Sequence, residues 1–449
     1  MTGGSDVTGG SGGSGVAGDR PTGPAAHIYR LDNPVQNYAW GSMSVIPDLL
    51  GVEPTGEPVA ELWLGAHPAA PSRVIGTDGE RTLLELIDEQ PEAMLGKTVG
   101  QRFGQLPFLL KILAVARPLS LQAHPSLSQA RAGFAAENAA GIPIDSAGRN
   151  YKDANHKPEQ ICALTDFEGF CGFRPVAETA GFLDALDTPL LAGFRARLVA
   201  AGGLRDVVTD LLTRSPEGIA RILDELVPAA ERLAQAGGRW AAEAGWIVRL
   251  DGDYPGDHGA VMALLLNLVH LRPGQALFLH AGELHAYLHG VGVEVLANSD
   301  NVLRGGLTHK HIDVAALLGI LEVAEDVIKP LDAVPAVGGE SIYPSSVADF
   351  RLTRLDLADA AVPVVLAEGT PRILLCTEGS ATVTASDGES VRLPRGAGVF
   401  VAAGAAVAVA ASESQTESQT ESQIATVFVA LPNCPEPRLT HATPTHSKF

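Results

Sequence analysis

Ser120-Leu121-Gln122-Ala123-His124-Pro125 carries two side chains with nitrogen or oxygen donors, separated by one residue. On a β-strand, residues i and i+2 share a face, so Gln122 and His124 point the same way. Two distant segments, His156-Lys157-Pro158-Glu159 and Glu283-Leu284-His285-Ala286-Tyr287, add a carboxylate and a second imidazole. Gln, His, Glu and His form a donor set suited to one divalent metal. Two donors on one strand, with partners from elsewhere, describe a site built across a β-scaffold and not a zinc finger. Residue types alone leave the alternatives open. His124 reads equally as a core-edge histidine bonded to Gln122, and Glu159, behind an extended Lys157-Pro158, as half of a surface ion pair.

Working outward, Gly- and Pro-broken apolar runs surround the first two segments. Ala60-Glu61-Leu62-Trp63-Leu64-Gly65 and Phe108-Leu109-Leu110-Lys111-Ile112-Leu113-Ala114-Val115 read as strands. Helices are expected over Thr82–Glu89 and Ser126–Asn138, the second with Ser126 as N-cap. After Val176 the pattern changes to helical spacing, in Leu204, Val207, Val208, Leu211 and Leu212 and again in Ile219, Ile222, Leu223 and Leu226. A further helix is expected over Ala260–Leu271, and β-rich sequence resumes at Pro273-Gly274. Residues 1–26 have a Gly/Ser linker composition and read as a flexible tail. The polar repeat 412–423 sits between two strand-like runs and reads as an expanded hairpin loop.

His285, Tyr287 and His289 alternate onto one face if extended, and Gly282, Gly290 and Gly292 oppose a helix there. Glu294 lies in the apolar run Glu294-Val295-Leu296-Ala297, where a carboxylate needs a partner or a function. Arg304 and Lys310, with Gly305 and Gly306 between them, would suit a phosphate or polyol, or form a solvated loop.

The chain's 449 residues are enough for two or three domains. With 32 Lys and Arg against 52 Asp and Glu, the formal charge is −20, which disfavours nucleic acid or an anionic membrane as the main partner. A locally positive site for a small anion remains compatible with that balance. The four cysteines form no CxxC pair, no secretory signal is visible, and the apolar runs are too short to span a bilayer. A soluble cytoplasmic protein is expected.

Several stretches together resemble the type I mannose-6-phosphate isomerases, the phosphomannose isomerase family of the cupin superfamily. They are Asn37-Tyr38-Ala39-Trp40-Gly41-Ser42, Glu61–Pro68, Leu119–Pro125, Asn155–Glu159, Gly169–Pro175 and the run Ala281–Asp313, in the family's order. The resemblance implies a mainly β fold with an α-helical insertion: two cupin, or jelly-roll, β-barrel units plus a helical domain. The expected division is a tail over 1–26, a cupin-like domain over 27–175, a helical insertion over 176–258, a catalytic segment over 259–328 and a C-terminal cupin-like domain over 329–449. It further implies one zinc ion per chain, held by Gln122, His124, Glu159 and His285, and a catalytic Arg304. The family usually has Thr-Pro-Lys where this chain has Thr308-His309-Lys310.

The implied reaction interconverts mannose 6-phosphate and fructose 6-phosphate through an enediolate, feeding mannose and GDP-mannose metabolism. A zinc ion with one carboxylate and three neutral ligands would keep a net charge of about +1 to polarise sugar oxygens. Arg304, which cannot readily lose its proton, suits the developing negative charge or substrate positioning. Glu294 is the first candidate for the base, because a carboxylate on an apolar strand can have a raised pKa, and Lys157 is the second. Lys310, Arg304 and Ser120 are candidates for phosphate contact; Tyr287 and Trp40 could wall the sugar, and His67 is a weaker addition. The expected partner is a small anionic phosphosugar and the expected state a monomer. The alternative is a non-catalytic cupin that binds or senses phosphosugars; it would need neither Arg304 nor Glu294.

Overall fold

The strand His285–Ala297 is the axis on which the site is organised. In the computed structural model, which describes residues 27–76, 81–336, 338–358, 362–412 and 424–434, this strand takes part in two sets of pairings. Its first part pairs with Leu121–Ala123, His285 opposite Gln122, and with Phe167–Phe173. Its second part runs between Phe108–Val115 and Glu159–Ala163. The change of partners coincides with a register irregularity between Tyr287 and His289, followed by Gly290 at φ +121°. A Cβ on Gly290 would lie 2.7 Å from the Asp166 carbonyl oxygen, so both conformation and space call for glycine. The irregularity also takes His289 out of the alternation expected for it: His285 and Tyr287 are buried while His289 is exposed.

Glu61–Leu64, Leu266–Leu271, Ala276–Leu279 and Leu303–Gly306 complete most of this ten-stranded sheet. Phe108–Val115 is buried along its whole length, which explains why it is apolar everywhere except at Lys111. Phe108, Leu110 and Ile112 face a core shared with Leu352, Phe400 and Phe428 of a nine-stranded sheet and with Phe350 just before it. That second sheet includes the N-terminal strand Ile28–Asp32, hydrogen-bonded to Gly398–Val401 and thus joined to C-terminal strands. A four-stranded sheet packs against its other face through Val383, Val407 and Val409.

The helical insertion forms as its spacing predicts. Pro216–Ala236 begins with the Ser215 hydroxyl accepting from the Gly218 N–H, and it buries Ile219, Ile222, Leu223 and Leu226. These residues share a core with Leu121, Ala123, Phe170 and Leu303, so the helices back the strands that carry the site. Leu83–Glu89 and Leu127–Ala139 each start with a capping box, on Thr82 and Ser126.

Two expectations are corrected. The helix expected over Ala260–Leu271 ends early: His258–Met262 is helical, a short 3₁₀ turn follows, and Leu266–Leu271 is a strand paired with Phe167–Phe173. An edge open for pairing overrides the local pattern. The runs flanking the 412–423 repeat are strands, but they lie in different sheets, so they are not the arms of one hairpin. The repeat itself, from 413 to 423, and the tail 1–26 lie outside the described residues. All four cysteines are free thiols. Among the described residues no helix is long and apolar enough to cross a membrane.

Candidate metal centre and substrate cleft

His124, Glu159 and His285 converge, with one donor atom of each within 4.8 Å of the others. His124 follows the strand Leu121–Ala123, Glu159 opens its own strand, and His285 begins the long one. The His124 Nε2 is 3.4 Å and the His285 Nε2 3.5 Å from Glu159 carboxylate oxygens. Both imidazoles are oriented from behind: the Nδ1 of His124 lies 2.8 Å from the Asn301 carbonyl, that of His285 2.9 Å from the Glu283 carbonyl. A carbonyl only accepts, so each Nδ1 carries the proton and each Nε2 offers its lone pair to the cluster.

Both Nε2 atoms and one Glu159 oxygen are buried without a hydrogen-bond partner. Such orphaned acceptors are unfavourable in a protein interior unless a cation joins them. Burial first, then Lys157, pushes His124 down to about 4, which keeps the ring neutral and ready to ligate. Burial alone would raise the Glu159 pKa, but Lys157 and the two imidazoles outweigh it and hold it well below the carboxylate range. Gln122, opposite His285 in the ladder, lines the adjoining cleft. Two neutral imidazoles, one carboxylate and a neutral amide fit a divalent zinc-type ion.

The cleft in front of the cluster has a volume of about 320 Å³. Trp40, Ser120, Lys157, Tyr287, Glu294, Arg304 and Lys310, the remaining catalytic and substrate candidates, all line it. His67 is buried behind Trp63, with its Nε2 3.5 Å from Asp300.

A scan against family models matches residues 28–176 to the catalytic domain of type I phosphomannose isomerase. A mannose-6-phosphate isomerase of Shigella flexneri is 41% identical over 382 residues, covering 84% of this chain and 95% of that protein. The chain belongs to the type I phosphomannose isomerase family. The Homo sapiens mannose-6-phosphate isomerase is 33% identical over 418 residues, covering 87% of this chain and 96% of its own. Among solved structures, a single-residue variant of the Salmonella typhimurium phosphomannose isomerase superposes with a TM-score of 0.81 at 35% identity, covering 91% of this chain and all of that one. A zinc-bound holo mannose 6-phosphate isomerase gives 0.80 at 35% identity over the same shares. The phosphomannose isomerase fold, mostly β with several helices, is therefore the fold of this chain.

In this phosphomannose isomerase scaffold the cleft holds charged groups that the sequence reading passed over. Lys111 and Glu61 stand on neighbouring strands, and the Lys111 Nζ lies 3.2 Å from Glu61 and 3.5 Å from Glu294. The same ammonium sits 4.8 Å from the centre of the Trp63 ring, whose indole N–H donates to Glu61. The three charged residues are under a tenth exposed. The signal was present in the sequence: a lysine inside Phe108–Val115 breaks an apolar run as Glu294 does.

Burial first, then Glu159, raises the Glu294 pKa to about 7, against the pull of Lys111 and Lys157. Burial lowers the pKa of Arg304, and burial together with Arg304 lowers that of Lys310; no carboxylate offsets either among the described residues. One wall of the cleft thus carries two unpaired cations, suited to an anion. The same cleft carries the buried carboxylate of Glu294, which lies 3.5 Å from the Lys111 ammonium.

Proposed function

We propose that the chain is a zinc-dependent aldose–ketose isomerase interconverting mannose 6-phosphate and fructose 6-phosphate through an enediolate. The observation that carries this reading is one cleft holding the His124–Glu159–His285 cluster, the unpaired Arg304 and Lys310, and the buried Glu294. Gln122, His124, Glu159 and His285 would hold the ion. Zinc, when bound, supplies Lewis-acid polarisation of the sugar oxygens.

The residues of the chain do the rest. Lys310, Arg304 and Ser120 receive the phosphate by charge-assisted and hydroxyl hydrogen bonds, while Trp40 and Tyr287 wall the sugar. Glu294, as carboxylate, takes the proton from C2 of the open-chain aldose and delivers it to C1, while the hydroxyl proton passes from O2 to O1, giving the ketose. Lys111 lies beside Glu294 and stabilises its ionised form. Arg304 also faces the negative charge that develops during transfer. Lys157, paired with Glu159, is the second candidate for the proton carrier. Every proposed group comes from one chain, so the reading requires no second copy.

We propose the same chain as two jelly-roll units, 27–175 with 259–328 and then 329–449, around the helical insertion 176–258, with Ile28–Asp32 and Arg73–Ile75 crossing into the second unit's sheet. The long strand shared by two sets of pairings and the two sheets packed over Val383 and Val407 support that division.

A coupled assay for fructose 6-phosphate from mannose 6-phosphate, with and without chelator, tests the function. Product that vanishes on zinc removal and returns with zinc is expected. No product from zinc-replete protein would refute the reading and favour a phosphosugar-binding cupin.

A further inference from the structure

The cationic wall runs on from Arg304 into a strained turn. The strand Leu303–Gly306 ends with a register irregularity between Arg304 and Gly306. Gly306 is at φ +135°, and Leu307 at φ +54°, a left-handed conformation that residues with a Cβ rarely adopt. Leu307 is only 1% exposed, so burial of its side chain and the turn's hydrogen bonds must offset that strain. The next residues, Thr308 and Lys310, line the cleft.

The Leu307 and Thr308 N–H groups are both held by one side chain, while the Thr308 hydroxyl accepts from the Lys310 N–H at 3.1 Å. Asp257 Oδ1 accepts from the Leu307 N–H at 2.8 Å and from the Gly259 N–H at 2.7 Å, and its Oδ2 lies 3.4 Å from the Thr308 nitrogen. The fit is close: a Cβ on Gly306 would come within 2.9 Å of the Gly259 Cα and 3.0 Å of Asp257 Oδ1. Asp257 closes the helical insertion, just before the helix His258–Met262. Three residues earlier, the Tyr254 hydroxyl donates to the Pro118 carbonyl at 3.0 Å, beside Leu119 and Ser120 of the cleft. The short segment Tyr254–Gly259 therefore bonds both to Pro118, next to Leu119 and Ser120, and to the turn at Leu307 and Thr308.

From this we infer that Asp257 is a positioning residue: its carboxylate holds the strained Gly306–Thr308 turn so that Thr308 and Lys310 face the phosphate group of the substrate. The inference rests on the phosphosugar reading above and adds the residue that sets affinity for the anionic end. A bare helix cap at Asp257 would need only the bond to Gly259; the bonds to Leu307 and Thr308 are the additional feature.

The test uses the zinc-replete full chain, with inorganic phosphate as a competitive probe. Turnover of mannose 6-phosphate by the parent, and its inhibition by phosphate, are measured first; absence of both would overturn the functional reading itself. Asp257→Ser retains a side chain able to cap the helix but too short to reach the turn. It should raise KM for mannose 6-phosphate and Ki for phosphate about tenfold, with kcat within about threefold and zinc content unchanged. In a Lys310→Ala background the same change should add less than about twofold, because its effect runs through the lysine's placement. Asp257→Asn, which keeps the Oδ1 acceptor, should recover most of the affinity. If Asp257→Ser does not fold, Asp257→Glu carries the test, its extra methylene displacing the turn and raising Ki at least about threefold. A folded variant with parental Ki and KM, or an undiminished loss in the Lys310→Ala background, would overturn the inference while leaving the functional reading intact.

Discussion

Replacing Glu294 with glutamine changes the proposed proton carrier while preserving its shape. Glu294 is 3% exposed and lies 3.5 Å from the Lys111 ammonium. In the variant, Lys111 still has Glu61 at 3.2 Å and the Trp63 ring at 4.8 Å, so the buried ammonium keeps a counter-charge and the fold should hold. A positioned general base is worth about 10²–10⁴ in rate, and kcat should fall by that factor. The pH dependence gives the sharper test. Without metal, burial and Glu159 put the Glu294 pKa at about 7. A cation bound at Glu159 lowers it, so the acid limb of kcat/KM in the zinc enzyme should lie between the ordinary carboxylate value and that figure. The ionised form is the active one, so activity rises with pH by about tenfold per unit below the pKa and then levels off. The coupled assay across pH 4.5–9, with zinc content and melting temperature as controls, reads both quantities. A folded, zinc-loaded Glu294→Gln protein within tenfold of parental kcat, with its acid limb intact, would refute the assignment and transfer it to Lys157.

His285→Ala removes one of the inward-facing Nε2 donors; zinc should fall from about one per chain to near zero together with activity, measured by metal analysis and turnover. Arg304→Ala should retain zinc but lose about 10²–10³ in kcat/KM, because it removes one of the two unpaired cations from the cleft. Lys111→Met removes the cation beside Glu294 and should move the acid limb upward by about one pH unit, with a lower melting temperature from the unpaired Glu61. Gly290→Ala places a Cβ 2.7 Å from the Asp166 carbonyl at φ +121° and should destabilise by about 3 kcal/mol or more by denaturant titration. In contrast, Gly245→Ala, in a helix with nothing within 4 Å of the new Cβ, should be neutral or slightly stabilising.

The local chemistry of this chain is readable residue by residue. Gln122-Ala123-His124 announces two donors on one strand face, and Ser215-Pro216 followed by Ile219, Ile222, Leu223 and Leu226 announces a capped amphipathic helix. Both are consequences of backbone period and capping, which act over a few residues. The misread strand Leu266–Leu271 shows the limit of such reasoning: its apolar spacing fits either period, and the open edge at Phe167–Phe173 decides. Lys111 and Asp257 differ in how far the local sequence reveals them. Lys111 stands out as a charge in an apolar run, whereas Asp257 gains its role only because Leu307, fifty residues later, folds against it.

The sequence by itself determined the donor set, the helical insertion, the acidic balance that leaves room for a small anionic ligand, and the family. It could not place Glu294 beside the metal cluster. Strict alternation along His285–Ala297 puts His285 and Tyr287 on one face and Glu294 on the other, since an odd and an even position never coincide at period two. The irregularity between Tyr287 and His289, with the turn at Gly290, reverses the alternation, and Tyr287 and Glu294 line one cleft. Only the tertiary structure decided this, because the bulge exists through pairing with Phe167–Phe173 on one side and Phe108–Val115 on the other.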